Sequence, residues 1–297
     1  MFGNGVAVAL GTFDGLHRGH MAVLNAALSF KELTPVAVTF SEPPKRRITG
    51  QPVPMLLTEE EKFSRLKEIG FKDIYVLDYD EVHTMSPTEF LDLLFKKYDV
   101  KAVCCGFNYR FGYKGEGDAL TLSDYCRKNS AESVTVPSFE VSGQTVSSSL
   151  IRELIKSGDI SLANRLLGYE FSFTNEVVHG EKRGRLMELP TVNIPLDENL
   201  VEPKFGVYAS SVTVDGKDYA AVTNIGIRPT FLLEKPLSET HIIDFDGDIY
   251  GKTVKVKLLQ YLREEQRFDG LEDLKQQIEE DKKFSAACFR EKNEESS

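Results

Sequence analysis

Two of the chain's five histidines, His17 and His20, stand three residues apart in the stretch GTFDGLHRGH at 11–20. The stretch also holds three glycines and one carboxylate, Asp14, and it follows the apolar run VAVAL directly. If an apolar strand turns here into a helix, Gly11 and Gly15 permit a tight turn and a close approach of backbone to ligand. His17 and His20 then share one face of the first helical turn. They stand beside N–H groups without intrahelical partners and the positive end of the helix dipole. That combination suits phosphate oxygens. Two alternatives stand on these residues alone: an ordinary glycine turn with surface histidines, and metal ligation by the pair. The stretch is not a Walker A loop, since no GK[ST] ending follows, and it is not a GxGxxG fingerprint.

The elements that must position these residues alternate. Apolar runs at 6–10, 36–40, 73–77, 100–105 and 133–136 read as strands. Residues 20–30 read as a helix, Thr58 and Glu61 form a capping box that opens a helix through Ile69, and Ser86-Pro87-Thr88-Glu89 opens another. Alternation of this kind implies crossover units, a mostly parallel sheet, and ligands at the carboxyl ends of its strands. Residues 147–168 read as helical. Beyond Gly168 the pattern changes. Residues 171–178 alternate, 206–214 run into the hairpin signal Asp215-Gly216, and 240–245 and 253–259 are strand-like. A helix at 270–289 places Leu271, Leu274, Ile278 and Phe284 near one face, and the charged tail EKNEESS reads as frayed. The second half is therefore expected to be an antiparallel sheet or small barrel with a closing helix, and the domains to be 1–169 and 170–297.

The bulk properties narrow the function. With 297 residues and a net charge of −10, the surface argues against non-specific binding to nucleic acid or anionic membrane. A small anionic ligand in a local basic pocket remains compatible. No apolar run is long enough to span a bilayer, and the first residues lack a signal-peptide pattern, so a cytoplasmic protein is expected. Cys104, Cys105, Cys126 and Cys288 form no CxxC pair and read as reduced core thiols.

Further stretches sharpen the reading of GTFDGLHRGH. It resembles the (H/T)xGH signature of the nucleotidyltransferase superfamily in its GxFDGxHxGH form. VSSSLIR at 146–152 is similar to the superfamily's VSST-x-IR segment, and GFNYRFG at 106–112 to GxDFRFG. In the second half, Gly184-Arg185 with PTVN at 190–193, NIGIRPTF at 224–231, and ETHIIDF at 239–245 with DIYG at 248–251 match GR…PTxN, NIGxRPTF and ExHLLDF…DLYG. Together these resemble the prokaryotic bifunctional riboflavin kinase/FMN adenylyltransferase family over nearly the whole chain.

That resemblance implies an α/β nucleotidyltransferase domain, Rossmann-like with a parallel sheet, followed by a β-barrel riboflavin-kinase-like domain with a closing helix. It implies FAD synthesis from FMN and ATP, with pyrophosphate released. Gly11, Phe13, Asp14, His17, His20, Ser148 and Arg152 would bind ATP, with His17, His20 and Arg152 stabilising charge. Asn108 and Arg110 would lie toward the flavin. In the second module, riboflavin would be phosphorylated by ATP, with Glu239 as base and Thr191 and Asn193 holding Mg²⁺. The implied partners are these small molecules, with no nucleic acid and no membrane.

Two departures matter. The family's GRxLGFPTxN reads GRLMELPTVN here, so Glu188 replaces a glycine. A carboxylate near nucleotide phosphates repels them, and a weakened or silent kinase is expected; the alternative is a fully bifunctional enzyme. Asn108 replaces an aspartate of similar size, and FSEPP at 40–44 departs from FxPxP; adenylyl transfer is expected to survive both. Another nucleotidyltransferase, or a flavin-binding protein without catalysis, is the rival in class.

Overall fold

The protein is described from a computed structural model, over residues 4–141, 143–178, 191–227, 236–268 and 270–295. The backbone divides into two compact units, Met1–Ser148 and Ser149–Ser297.

In the first unit strands and helices alternate as the apolar runs require. The elements are β1 (Val6–Leu10), α1 (Arg18–Leu28), β2 (Thr34–Phe40), α2 (Lys45–Thr49), α3 (Glu59–Ile69), β3 (Asp73–Leu77) and α4 (Tyr79–Val82). Then come α5 (Pro87–Lys97), β4 (Val100–Gly106), α6 (Ala119–Lys128), β5 (Glu132–Val136) and a small hairpin of β6 (Glu140–Val141) and β7 (Gln144–Thr145). The five-stranded sheet has the order β3-β2-β1-β4-β5, and its pairs are all parallel. Chain order reverses between β1 and β4, which makes the crevice at their carboxyl ends the place where such sheets bind ligands. All five residues of β1 are buried, as a central strand covered on both faces must be. Thr58 caps α3 by accepting from the Glu61 N–H at 3.2 Å, one half of the expected box, and Ser86 and Glu89 form a full capping box.

The second unit opens with two helices. The first of them, α7 (Ser148–Ser157), begins on the last residue of the first unit, and α8 (Ile160–Leu167) follows. Contacts thus divide the chain ahead of the 169/170 division read from the sequence. The reason lies in specific bonds: Asn164 donates to the Leu258 carbonyl at 2.8 Å and the Ile155 carbonyl accepts from Lys204 N–H at 3.2 Å.

The antiparallel strands follow: β8 (Ser172–Glu176), β9 (Val192–Pro195), β10 (Gly206–Val214), β11 (Lys217–Ile227), β12 (Pro236–Ile242) and β13 (Thr253–Arg263), then α9 (Leu271–Glu295). They form a six-stranded sheet, β8-β13-β10-β11-β12-β9. Its edges approach each other: Val178, just past β8, bridges to Asn193 of β9, and Asn175 donates to the Pro195 carbonyl at 3.2 Å. The sheet is a nearly closed barrel, which removes exposed strand edges. The β10–β11 hairpin turns on Asp215 and Gly216, at φ 48° and 80°, the two positive dihedrals that a two-residue type I′ turn needs. Inside the sheet, hydroxyls replace apolar contacts along one row. Ser210 meets Thr223 at 2.8 Å and Thr223 meets Thr240 at 2.9 Å, and all three are fully buried.

Three sequence expectations need correction. Strand β12 runs over Pro236–Ile242 rather than 240–245, and Asp244 beyond it adopts a left-handed φ of 55°, which ends an extended segment. Among the described side chains of α9 the buried ones are Asp281 and Ser285, while Phe284 is 45% exposed. Polar contacts hold this helix: Arg263 donates to Asp281 through Nε and Nη2, the latter at 2.8 Å, and Ser285 accepts from the Ser210 N–H at 3.3 Å. Apolar periodicity does not register such contacts. The tail EKNEE, read as frayed, continues α9 to Glu295. The thiols are free, as expected; burial pushes Cys104 up to about 12 and Cys105 up to about 11.

Candidate functional site

The loop between β1 and α1 stands at the switch point of the parallel sheet. Phe13, Gly15 and Leu16 take φ values of 50°, 83° and 40°. Holding non-glycine residues in that region costs on the order of 1 kcal/mol or more each and persists only where the surroundings enforce it. Here burial enforces it, since Phe13 and Leu16 are 1% and 2% exposed. Gly15 has no alternative, because a Cβ there would lie 2.7 Å from the Leu56 side chain. Thr39 of β2 donates to the Thr12 carbonyl at 2.9 Å and fixes the loop's first half. Asp14, buried, fixes the second: its carboxylate accepts from the Leu56 N–H, and its carbonyl accepts from Ser148 Oγ, each at 2.9 Å.

His17 is the N-cap of α1, and its Nδ1 accepts from the His20 N–H at 3.2 Å. Of the donors that a helix start leaves without intrahelical partners, one is thus used internally. The bond also sets the tautomer: with Nδ1 accepting, the neutral ring carries its proton on Nε2. The His17 and His20 rings stack with centroids 3.6 Å apart and planes at 14°, and Phe13 meets the His20 ring edge-on at 5.6 Å. The pair is therefore a rigid wall at a helix N-terminus. Of the metal alternative, the described residues contain no group of three or more His, Cys, Asp or Glu side chains arranged to hold an ion.

The remaining residues fall into place unevenly. Asn108 is exposed and follows β4, the other strand of the switch point. Arg110 is exposed and pairs with Asp118 at 3.4 Å. Ser148 commits its hydrogen to the Asp14 carbonyl, so toward a ligand its oxygen acts as an acceptor. Arg152 lies one turn further along α7, half-buried and on the same helical face as Ser148. A cleft of about 320 Å³ opens at the ends of β2 and β3, lined by Phe40, Ser41, Arg47 and Tyr79.

In the second unit, strand register makes a row. Glu239 of β12 is directly opposite Asn193 of β9 on one side and Asn224 of β11 on the other. Paired residues share a face, so a carboxylate stands between two amides, on the face opposite the Ser238 and Thr240 hydroxyls. Asn193 is buried at 5% exposure and Glu239 is half-buried. Thr191 lies just ahead of β9. Glu188, Arg228 and the rest of 179–190 and 228–235 lie outside the described residues.

Two residues carry weight that the sequence reading missed. Glu265 accepts from Asn224 Nδ2 at 2.7 Å, and a Cβ on Gly226 would fall 2.8 Å from the same carboxylate oxygen. The glycine inside NIGIR was the available signal. Lys62 is buried on α3 and donates to the Phe40 carbonyl and, at 3.1 Å, to that of Ser41. Burial lowers its pKa to about 8, against the upward pull of Asp14 and Glu59. Nothing in its sequence context set it apart from other helical lysines.

Comparison with known proteins agrees with both halves. The FAD synthetase family model matches residues 2–150, and the riboflavin kinase model matches 167–289. A bifunctional riboflavin kinase/FMN adenylyltransferase of Bacillus subtilis is 34% identical over 95% of this chain and 92% of its own length. The Escherichia coli K12 protein of the same name is 35% identical over 96% and 93%. A solved structure titled a macrolide-efflux protein, from Streptococcus pneumoniae, superposes with a TM-score of 0.86 at 32% identity, covering 95% of this chain and 94% of that one. Among the described residues no helix is long and apolar enough to cross a membrane, and both curated relatives above are named for flavin chemistry. On the identity to those relatives across both units, the chain belongs to the bifunctional riboflavin kinase/FMN adenylyltransferase family.

Proposed function

We propose that this protein makes FAD in two steps, phosphorylating riboflavin at the barrel and adenylylating FMN at the parallel-sheet unit. The observation that carries the second step is the stacked His17–His20 pair capping α1 at the switch point. An FMN phosphate oxygen, already anionic, attacks the α-phosphorus of ATP, and the bond to pyrophosphate breaks. No general base is needed. His17 Nε2–H, His20 and the helix N-terminus stabilise charge growing on the α-phosphate and the leaving group. Arg152 is assigned to the same anion, Gly11, Phe13, Asp14 and Ser148 to seating ATP, and Asn108 and Arg110 to the flavin. On this assignment 1–169 acts as the transferase module, although α7 and α8 pack with the second unit, and 170–297 acts as the kinase.

At the barrel, the alcohol of riboflavin does need a proton acceptor. Glu239 takes that role, between Asn193 and Asn224. The hydroxyl, amide and carboxylate oxygens of Thr191, Asn193 and Glu239 suit Mg²⁺, which favours oxygen donors. Thr191 and Asn193 would hold it, and when bound it neutralises phosphate charge. The bifunctional relatives support a working kinase, so the fully bifunctional alternative is preferred to a kinase weakened by Glu188. The acidic composition and the small-molecule substrates support a cytoplasmic enzyme without nucleic-acid or membrane partners.

The test is direct. Pure protein with Mg²⁺ and ATP receives riboflavin in one tube and FMN in another, and the flavins are separated by chromatography. FAD in both tubes is expected. FAD from FMN alone would restore the weakened-kinase reading, and flavin binding without turnover would indicate a carrier.

A further inference from the structure

Lysine is among the residues least often buried, and an ammonium is costly to bury unless it is paired and hydrogen-bonded. Lys62 is 4% exposed. Its Nζ donates to the carbonyls of Phe40, the last residue of β2, and Ser41, the next. That places a cation at the carboxyl edge of the sheet, one strand from the phosphate-binding loop, since β2 pairs with β1. Its strongest charged neighbour is Asp14 of that loop, with Glu59 of its own helix behind. Asp14 is 5% exposed and stands three residues ahead of the N-cap His17. A buried carboxylate at that place repels a triphosphate unless a cation offsets it.

We propose that Lys62 is a positioning residue for adenylyl transfer: it offsets Asp14 and clamps the exit of β2, so that the loop meets ATP without net negative charge. The inference rests on the adenylyl-transfer reading of the first unit. The lysine's lowered pKa, about 8, means that its charge is present at neutral pH and is lost as the pH climbs through that value.

The test measures the KM for ATP in FAD formation from FMN, for the unaltered protein and for Lys62→Gln. Glutamine keeps a donor for a carbonyl and removes the charge. The variant is expected to raise that KM about tenfold at neutral pH, with kcat changed far less and riboflavin phosphorylation at the barrel unchanged. In the unaltered protein the KM is expected to rise between about pH 7 and pH 9, and in the variant to stay high and flat. A wild-type KM in Lys62→Gln overturns the proposal. If the variant loses both activities by misfolding, Lys62→Arg, which keeps the charge, and Lys62→Met, which removes it, are compared at neutral pH, and an equal KM for ATP in the two overturns the proposal. Absence of FAD from the unaltered protein would instead remove the adenylyl-transfer reading, and this inference with it.

Discussion

On the proposed mechanism His17 has two roles that substitution can separate. Its Nδ1 caps α1 through the His20 N–H, and in that mechanism its Nε2–H is a donor to ATP. Asparagine is among the best N-caps, whereas alanine is poor, and loss of a cap costs about 1 kcal/mol. Loss of a donor that stabilises transition-state charge costs about 10²–10³ in rate, or roughly 3–4 kcal/mol of barrier. His17→Asn should therefore melt near the parent and yet lose about 10²–10³ in FAD formation from FMN. His17→Ala should lose the same rate and about 1 kcal/mol of first-unit stability as well. Chromatography of FAD formed under saturating ATP gives the rates. Riboflavin phosphorylation by the barrel in the same sample serves as the internal control, and a denaturant melt followed by Tyr fluorescence reports stability. If His17→Asn made FAD within about threefold of the parent rate, the imidazole would be only a cap, and the charge-stabilising role would be wrong.

Other expectations follow from the same geometry. Glu239→Gln should abolish most FMN formation, by about 10²–10⁴, while FAD formation from supplied FMN is unchanged; equal loss of both would place the defect in folding. Gly206 has φ 142°, and a Cβ there would lie 2.5 Å from the Arg263 carbonyl, so Gly206→Ala should destabilise the barrel by about 2–4 kcal/mol, measured by chemical denaturation. Burial holds Cys104, Cys105 and Cys126 as thiols, with pKa values up to about 12, so native protein at mildly alkaline pH should alkylate at Cys288 alone within minutes and at all four positions in denaturant. Rapid native labelling of Cys104 would contradict the buried strand.

How much was legible depends on what each feature rests on. The parallel sheet followed from apolar runs of strand length set between capped helices, because a strand covered on both faces has no polar positions to hide it. The hairpin at Asp215-Gly216 followed from dihedral demands that few residues meet. The histidine cluster was visible as a spacing, and its tautomer and stacking were not, since these arise only once the loop adopts its left-handed turns. The row Asn193–Glu239–Asn224 comes from three strands distant in sequence, and only pairing shows that they are neighbours. Lys62 and the polar face of α9 escaped for a shared reason: hydrophobic periodicity treats every charged or hydroxylated side chain as outward-facing, and Lys62, Asp281 and Ser285 turn inward.

The hydroxyl row of Ser210, Thr223 and Thr240 has a consequence for fidelity. Side chains alternate along a strand, so a shift of β12 by one residue would turn Glu239 to the opposite face and bring Thr240 to where Glu239 stands. An apolar row on the buried face resists that error as well, since the shift would expose the row and bury Glu239. Hydroxyls accept only partners at bonding distance, so the shift would also leave the buried Thr223 without Thr240, at about 1–3 kcal/mol for the stranded group. Thr240 thus acts as a key cut to one lock. It sits on the opposite face of β12 from Glu239, the neighbouring residue, and it proofreads where the carboxylate is delivered each time the chain folds.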